Sequence, residues 1–214
     1  MLDFIISIDK NLFLFLNSLH ASFFDNFMYI YTKSNVWIPL YISILYVIIR
    51  NYRKQSILII IAFVVCLAAA DQISSGIIKE VVGRLRPSHN PDFEGIIHLV
   101  NNRKSGQFGF VSSHAANTLG FALLCTLFFK NKIFSTIIFA WAIINCYTRI
   151  YLGLHYPLDI IGGSIVGFAV AIIIFSICKR FVKLQTNLSI KQLFIPIAVL
   201  AVTILTIIVY SAFG

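Results

Sequence analysis

The sequence predicts an all-α integral membrane bundle, and three observations carry that prediction. Its 214 residues are 59% hydrophobic and only 12% charged, with a mean hydropathy of +0.89, whereas soluble domains run at about 45–50% apolar and about 25% charged. Apolar runs recur at close to the roughly 20 residues that a membrane-crossing helix needs. Lys and Arg gather in alternate connecting segments, as they do when successive loops face opposite sides of a bilayer.

Six spans are expected, near residues 35–50, 56–78, 113–129, 133–151, 157–178 and 192–213. The first 32 residues interleave Phe4, Ile5, Leu12, Phe13 and Leu16 with Asp3, Asp9, Lys10, Asn17 and His20, which reads as one or two amphipathic helices lying at the interface. No internal repeat or low-complexity linker divides the chain, so residues 1–214 are taken as one membrane domain. The opening segment lacks a basic stretch and a small-residue cleavage site, so a cleaved signal peptide is not expected. Cys66, Cys125, Cys146 and Cys178 each lie inside an apolar run without a CxxC pair and are read as small buried hydrophobes.

The segments on the side reached at the end of the first expected span hold Arg50, Arg53, Lys54, Lys130, Lys132, Lys179, Arg180, Lys183 and Lys191, and no acidic residue. The bias of basic residues toward cytoplasmic loops makes that side the cytoplasm and turns both termini outward. Most of the net charge of +9 is then topology, which argues against nucleic acid as a partner.

Three polar clusters converge on the outer face. "DQISSGIIKEVVGRLRP", Asp71 to Pro87, places Lys79, Arg84 and Arg86 within eight residues at the end of the second expected span. "FVSSHAANT" opens the third, with Ser112 or Ser113 placed to cap the helix and His114 in its first turn. Arg149 ends the fourth, and His155-Tyr156-Pro157 opens the fifth, with Pro157 suited to the first helical position. Cations gathered at a helix N-terminus describe a site for a dense anion, whose oxygens would take backbone N–H groups, guanidinium forks and an ammonium. His155 precedes Asp159 by one helical turn, so the carboxylate can hold Nδ1–H and leave Nε2 free as a nucleophile. His114 is the candidate acid for the leaving group. The cations neutralise a transferring phosphoryl group themselves, so neither a metal nor another cofactor is required.

These residues resemble the type 2 phosphatidic acid phosphatase superfamily, in its bacterial six-span membrane class. "KEVVGRLRP" fits K-x6-R-P, "VSSH" resembles P-S-G-H, and "TRIYLGLHYPLD" fits S-R-x5-H-x3-D, with Val111, Ser113 and Thr148 as the departures. By position, the resemblance implies phosphate binding by Lys79, Arg86, Ser112, Ser113, His114 and Arg149. It implies His155 as nucleophile, Asp159 as its orienting carboxylate and His114 as general acid. Arg84 falls outside the motif and is assigned to a headgroup or supporting contact. Asp71 shares a helical face with Ser75 and Lys79, which suits a supporting role. His89 and His98 are read as solvated loop histidines, His20 as interfacial, and Phe108 and Phe110 as headgroup-level anchors.

The expected activity is hydrolysis of a lipid phosphate through a phosphohistidine, in the bacterial inner membrane with the site facing the periplasm. The partners are the lipid phosphate and the bilayer, with the oligomeric state left open. Undecaprenyl diphosphate ranks narrowly ahead of lipid A, with phosphatidylglycerophosphate and phosphatidic acid behind. A phosphotransferase using the same site is the alternative. An anion channel or transporter is disfavoured, because its cations would be spread through the depth of the membrane.

Overall fold

Where the surroundings offer no hydrogen bonds, a chain rich in apolar side chains must satisfy its backbone internally, and helices do so locally. The computed structural model describes residues 2–183 and 187–213; Met1, residues 184–186 and Gly214 of the expected domain lie outside them. Among the described residues the regular elements are helical, apart from one isolated bridge between Leu85 and Phe108. Helices α1 (Leu2–Ser18) and α2 (Ser22–Tyr31) precede α3 (Ile38–Tyr52). Next, α4 (Ser56–Asp71) continues through a π-helical stretch, Gln72–Ile78, into the short α5 (Lys79–Val82). After a long loop come α6 (Ser113–Phe129), α7 (Lys132–Tyr151), α8 (Pro157–Cys178) and α9 (Phe194–Phe213).

The span count corrects the six-span expectation, and with it the six-span class. Among the described residues, four helical stretches are long and apolar enough to cross a membrane: Ser34–Val82, Lys132–Tyr151, Pro157–Cys178 and Phe194–Phe213. The first two expected spans fall within one 49-residue stretch. The third, α6, is apolar but has only 17 residues, about 25 Å of helix, and falls short of the needed length.

Helix α6 is the centre of the bundle, packed most closely on α8 and flanked by α7 and α4. Two glycines allow the α6–α8 approach. A Cβ at Gly163 would run into the Ser112 carbonyl, and one at Gly167 into the Ala116 carbonyl. This is the small-residue packing by which membrane helices bring their backbones together. Trp37, Trp141, Tyr31, Phe128 and Phe134 fill the core around it. The outward faces are apolar, with Ile161, Ile165, Ile172 and Val202 exposed.

Helix α1 buries two polar side chains. Phe4, Ile8 and Phe15 face outward, whereas Asp9, Phe13 and Asn17, spaced four apart, are buried. Asn17 donates to the Tyr151 and His98 carbonyls and accepts from the His98 N–H. Phe13 packs with Phe93, Ile150 and Tyr156. These contacts seat α1 on the long loop and on the ends of α7 and α8 that carry the polar clusters. At the opposite ends of the helices, Tyr52 bonds the Phe128 carbonyl and Asn131 the Leu188 carbonyl. The basic turns around Arg53, Lys130 and Lys179 lie at those far ends.

Candidate active site

Four chain segments meet where α4–α5, α6, α7 and α8 come together. The π-helical turn carries the first. Such turns insert a residue into the helical ladder and re-aim the side chains after it. Ser75 Oγ lies 2.9 Å from Ser113 Oγ, and Lys79 Nζ donates to the same oxygen at 2.6 Å. Asp71 makes a supporting contact with the neighbouring helix, its carboxylate accepting from Asn117 of α6 at 3.4 Å.

The long loop supplies two arginines. Its ends are clipped together by Arg86 N–H on the Gln107 carbonyl and Gly109 N–H on the Arg84 carbonyl. Alternation along the clipped segment sends Arg84 and Arg86 to the site with Leu85 between them. Arg86 is buried; Nε donates to the Phe108 carbonyl and Nη1 lies 3.0 Å from His155 Nε2.

At the start of α6, Ser112 is the N-cap, its hydroxyl accepting from Ala115 N–H while its own N–H donates to the Asp159 carbonyl at 2.9 Å. This bond ties the α6 N-terminus to the first turn of α8. His114 follows, with Nε2 3.4 Å from Asn145 Oδ1. Because the Asn145 amide NH₂ donates to the Trp141 carbonyl, Oδ1 is left as acceptor and His114 Nε2 donates to it.

Between α7 and α8 the chain reverses at Gly153, whose φ of +71° suits glycine. The Arg149 carbonyl accepts from both Leu154 and His155 N–H, which folds His155 back beside Arg149. Arg149 Nη1 donates to Thr32 Oγ1, and its buried Nε has no hydrogen-bond partner among the described residues. A buried guanidinium donor left free in this way suits an anion. Pro157 opens α8, and Asp159 closes a capping box on Tyr156 N–H at 3.0 Å. The same oxygen lies 3.4 Å from His155 Nδ1.

These contacts decide the His155 tautomer. Arg86 can only donate, so Nε2 accepts and the ring proton sits on Nδ1, toward Asp159. Burial first, then the positive charges of Arg86, Arg149 and Lys79, hold the imidazole well below the usual histidine range. It is therefore neutral at physiological pH, with a lone pair on Nε2. Asp159 is completely buried, and its other oxygen accepts from Arg84 at 2.9 Å.

The sequence profile of the PAP2 superfamily matches residues 57–183, a stretch that contains Lys79, Arg86, His114, Arg149, His155 and Asp159. The chain is 37% identical to the lipid A 4'-phosphatase of Bacteroides thetaiotaomicron, over 99% of its own length and 98% of that protein's. The chain belongs to the PAP2 superfamily. This PAP2 chain is also 31% identical to the lipid A 4'-phosphatase of Porphyromonas gingivalis, over 82% of its length and 75% of that protein's. Its fold is that of the transmembrane PAP2-type phosphatidylglycerolphosphate phosphatase from Bacillus subtilis, with a TM-score of 0.62 at 20% identity, covering 85% of this chain and 89% of that one. With this family match and four helical stretches long and apolar enough to cross a membrane among the described residues, it is a multi-pass membrane protein.

The structure of this PAP2 chain also shows residues that the sequence reading did not single out. Asp9 on α1 accepts from Arg84 at 2.6 Å and from Leu158 N–H at 2.9 Å. Asn145 lies four residues before Arg149 in an apolar run, and that spacing was its available signal. His98, expected as a solvated loop histidine, is paired instead: its ring lies 2.7 Å from the Asp25 carboxylate and stacks on His20 at 3.9 Å. Among the described residues, no group of three or more His, Cys, Asp or Glu is arranged to hold a metal ion.

Proposed function

We propose that this protein is a metal-independent lipid phosphatase acting through a phosphohistidine at His155, with the phosphate monoester of a lipid A-type glycolipid as its substrate. The observation that carries the chemistry is the setting of His155, with Nδ1 3.4 Å from the Asp159 carboxylate and Nε2 3.0 Å from Arg86, which favours a ring proton on Nδ1 and a lone pair on Nε2. The incoming phosphate takes over the Arg86 donor and frees Nε2 to attack. The Nε2–P bond forms as the P–O bond to the lipid breaks, and the departing alkoxide takes a proton from the imidazolium of His114, a charged form that the bound anionic phosphate favours against the opposing effect of burial and Arg149. Arg86, Arg149, Lys79, Ser113 and the first N–H groups of α6 take the phosphoryl oxygens, whose charge they are placed to offset. Water then loses a proton to His114 and attacks phosphorus. The Nε2–P bond breaks, and inorganic phosphate and free His155 are restored.

Near end-to-end similarity to one lipid A 4'-phosphatase, and lesser similarity to a second, supports lipid A over undecaprenyl diphosphate. The basic turns at the far ends of the helices support a site on the periplasmic side of the bacterial inner membrane. The test is a panel of lipid A, undecaprenyl diphosphate, phosphatidylglycerophosphate and phosphatidic acid, presented in detergent with EDTA throughout and scored by released phosphate. Lipid A is expected to be the best substrate, and His155→Ala to abolish release. Preference for undecaprenyl diphosphate overturns the substrate, release by His155→Ala overturns the mechanism, and phosphate appearing on an added lipid acceptor instead of in water makes the enzyme a transferase.

A further inference from the structure

We infer that Asp9, on α1, and Arg84 are positioning residues of this site, setting through Asp159 the orientation and charge state in which His155 attacks phosphorus; the inference rests on the phosphohistidine reading above. Asp9, Arg84, Asp159 and His155 form one chain of contacts. Asp9 Oδ2 accepts from Arg84 Nη2 at 2.6 Å, and Arg84 Nη1 donates to Asp159 Oδ1 at 2.9 Å. Asp159 Oδ2 faces His155 Nδ1. The two carboxylates are buried, and Arg84 is packed over the Tyr156 ring at 4.0 Å. A guanidinium bridging two buried carboxylates from separate segments fixes both, because its planar fork holds its donors in a rigid arrangement.

The arithmetic of charge gives the arrangement a purpose. Phosphorylation of Nε2 with Nδ1 still protonated leaves the ring cationic. On the Nδ1 side of the ring, Arg84 alone would cancel Asp159. With Asp9 present, two carboxylates and one guanidinium leave that side with a net negative charge, opposite the Arg86 side, as the ring becomes cationic. Asp9 also accepts from Leu158 N–H, in the first turn of α8, where the helix dipole favours an anion. The backbone next to Asp159 is thereby tied to α1. Asp9 lies outside the residues matched by the superfamily profile, so the matched segment does not include this end of the chain of contacts.

The test uses the full-length protein in detergent micelles with lipid A, phosphate release as the rate, and thermal unfolding to count folded enzyme. Asp9 touches none of the proposed phosphate-binding groups. Asp9→Asn should therefore lower kcat by about 10- to 100-fold, the scale of a small misplacement of a reacting group, with KM held within about twofold. Asp9→Glu should recover part of the loss, and Asp9→Asn with Arg84→Gln should cost no more than the worse single change. A wild-type kcat per folded molecule in Asp9→Asn, a change confined to KM, or equal losses in the Asn and Glu variants overturns the inference. If Asp9→Asn does not fold, Arg84→Lys, which keeps the cation and loses the fork, is judged by its kcat and KM in the same way. His155→Ala is run alongside. Release surviving in that variant refutes the phosphohistidine itself, whereas an inactive His155→Ala beside an undiminished Asp9→Asn refutes only the role of Asp9.

Discussion

Gly163→Ala is the sharpest test of how the bundle builds the site. A methyl group at this position lands on the Ser112 carbonyl and within 3.1 Å of the Ala115 Cβ. The obstruction is backbone, so no side-chain rotation relieves it, and ordinary contact requires the two helices to part by roughly 1 Å. Ser112 N–H is bonded to the Asp159 carbonyl, so the parting falls on the junction between the phosphate cradle of α6 and the His155–Asp159 pair. Overpacking of this kind costs about 1–3 kcal/mol of stability, and a displacement of about 1 Å between reacting groups costs about 100-fold in rate. Phosphate release and thermal unfolding, measured on the same detergent-purified sample, should both fall. Gly106→Ala is the control, since nothing lies within 4 Å of a methyl there, and it should change neither. A Gly163→Ala enzyme with wild-type kcat and unfolding temperature would refute the close-packed α6–α8 junction as the element that assembles the site.

Two further outcomes follow from the contacts of Asp159 and His155. Asp159→Asn must point its NH₂ either at Arg84 or at the Tyr156 N–H and His155 side, donor against donor in both cases, so kcat for phosphate release should fall by about 10³- to 10⁴-fold while the protein still folds. Because burial and neighbouring cations hold His155 well below the usual histidine range, activity should persist as pH falls through about 6.5, the ordinary histidine value. Arg86→Gln removes one of those cations, so it should move the acid limb of the kcat–pH profile upward; a downward shift would contradict the charge assignment.

The elements and the polar constellation were legible in the sequence because both follow from local rules. Apolar runs have no option but helix in a bilayer, and K-x6-R-P, VSSH and R-x5-H-x3-D each set their own side chains at the end of one such helix. The span count was not legible in the same way. Residues 35–50 and 56–78 read as two separate apolar runs, yet they fall within one helical stretch, Ser34–Val82, and α6 is shorter than a crossing helix. The part played by α1 was hidden because its apolar and polar residues are mixed on both faces. Phe4, Ile8 and Phe15 are exposed beside Asp3, Ser7 and Asn11, while Asp9, Phe13 and Asn17 form the buried face. The sequence leaves Arg84 between a headgroup and a supporting contact, because its carboxylate partners lie 75 residues away in each direction, a separation that no local pattern reports. The π-helical turn was hidden likewise: ordinary helical spacing relates Asp71 to Ser75 and Lys79, whereas the structure brings Ser75 and Lys79 together on Ser113.

Trapping the covalent intermediate tests the central claim most directly. The enzyme is mixed with lipid A, quenched within a turnover at alkaline pH, where phosphoramidates survive, and mapped by mass spectrometry. A single phosphoryl group on His155, absent from the His155→Ala protein, is the predicted result. Turnover with no phosphoryl group on the protein at any quench time, or with the group on another residue, would contradict it.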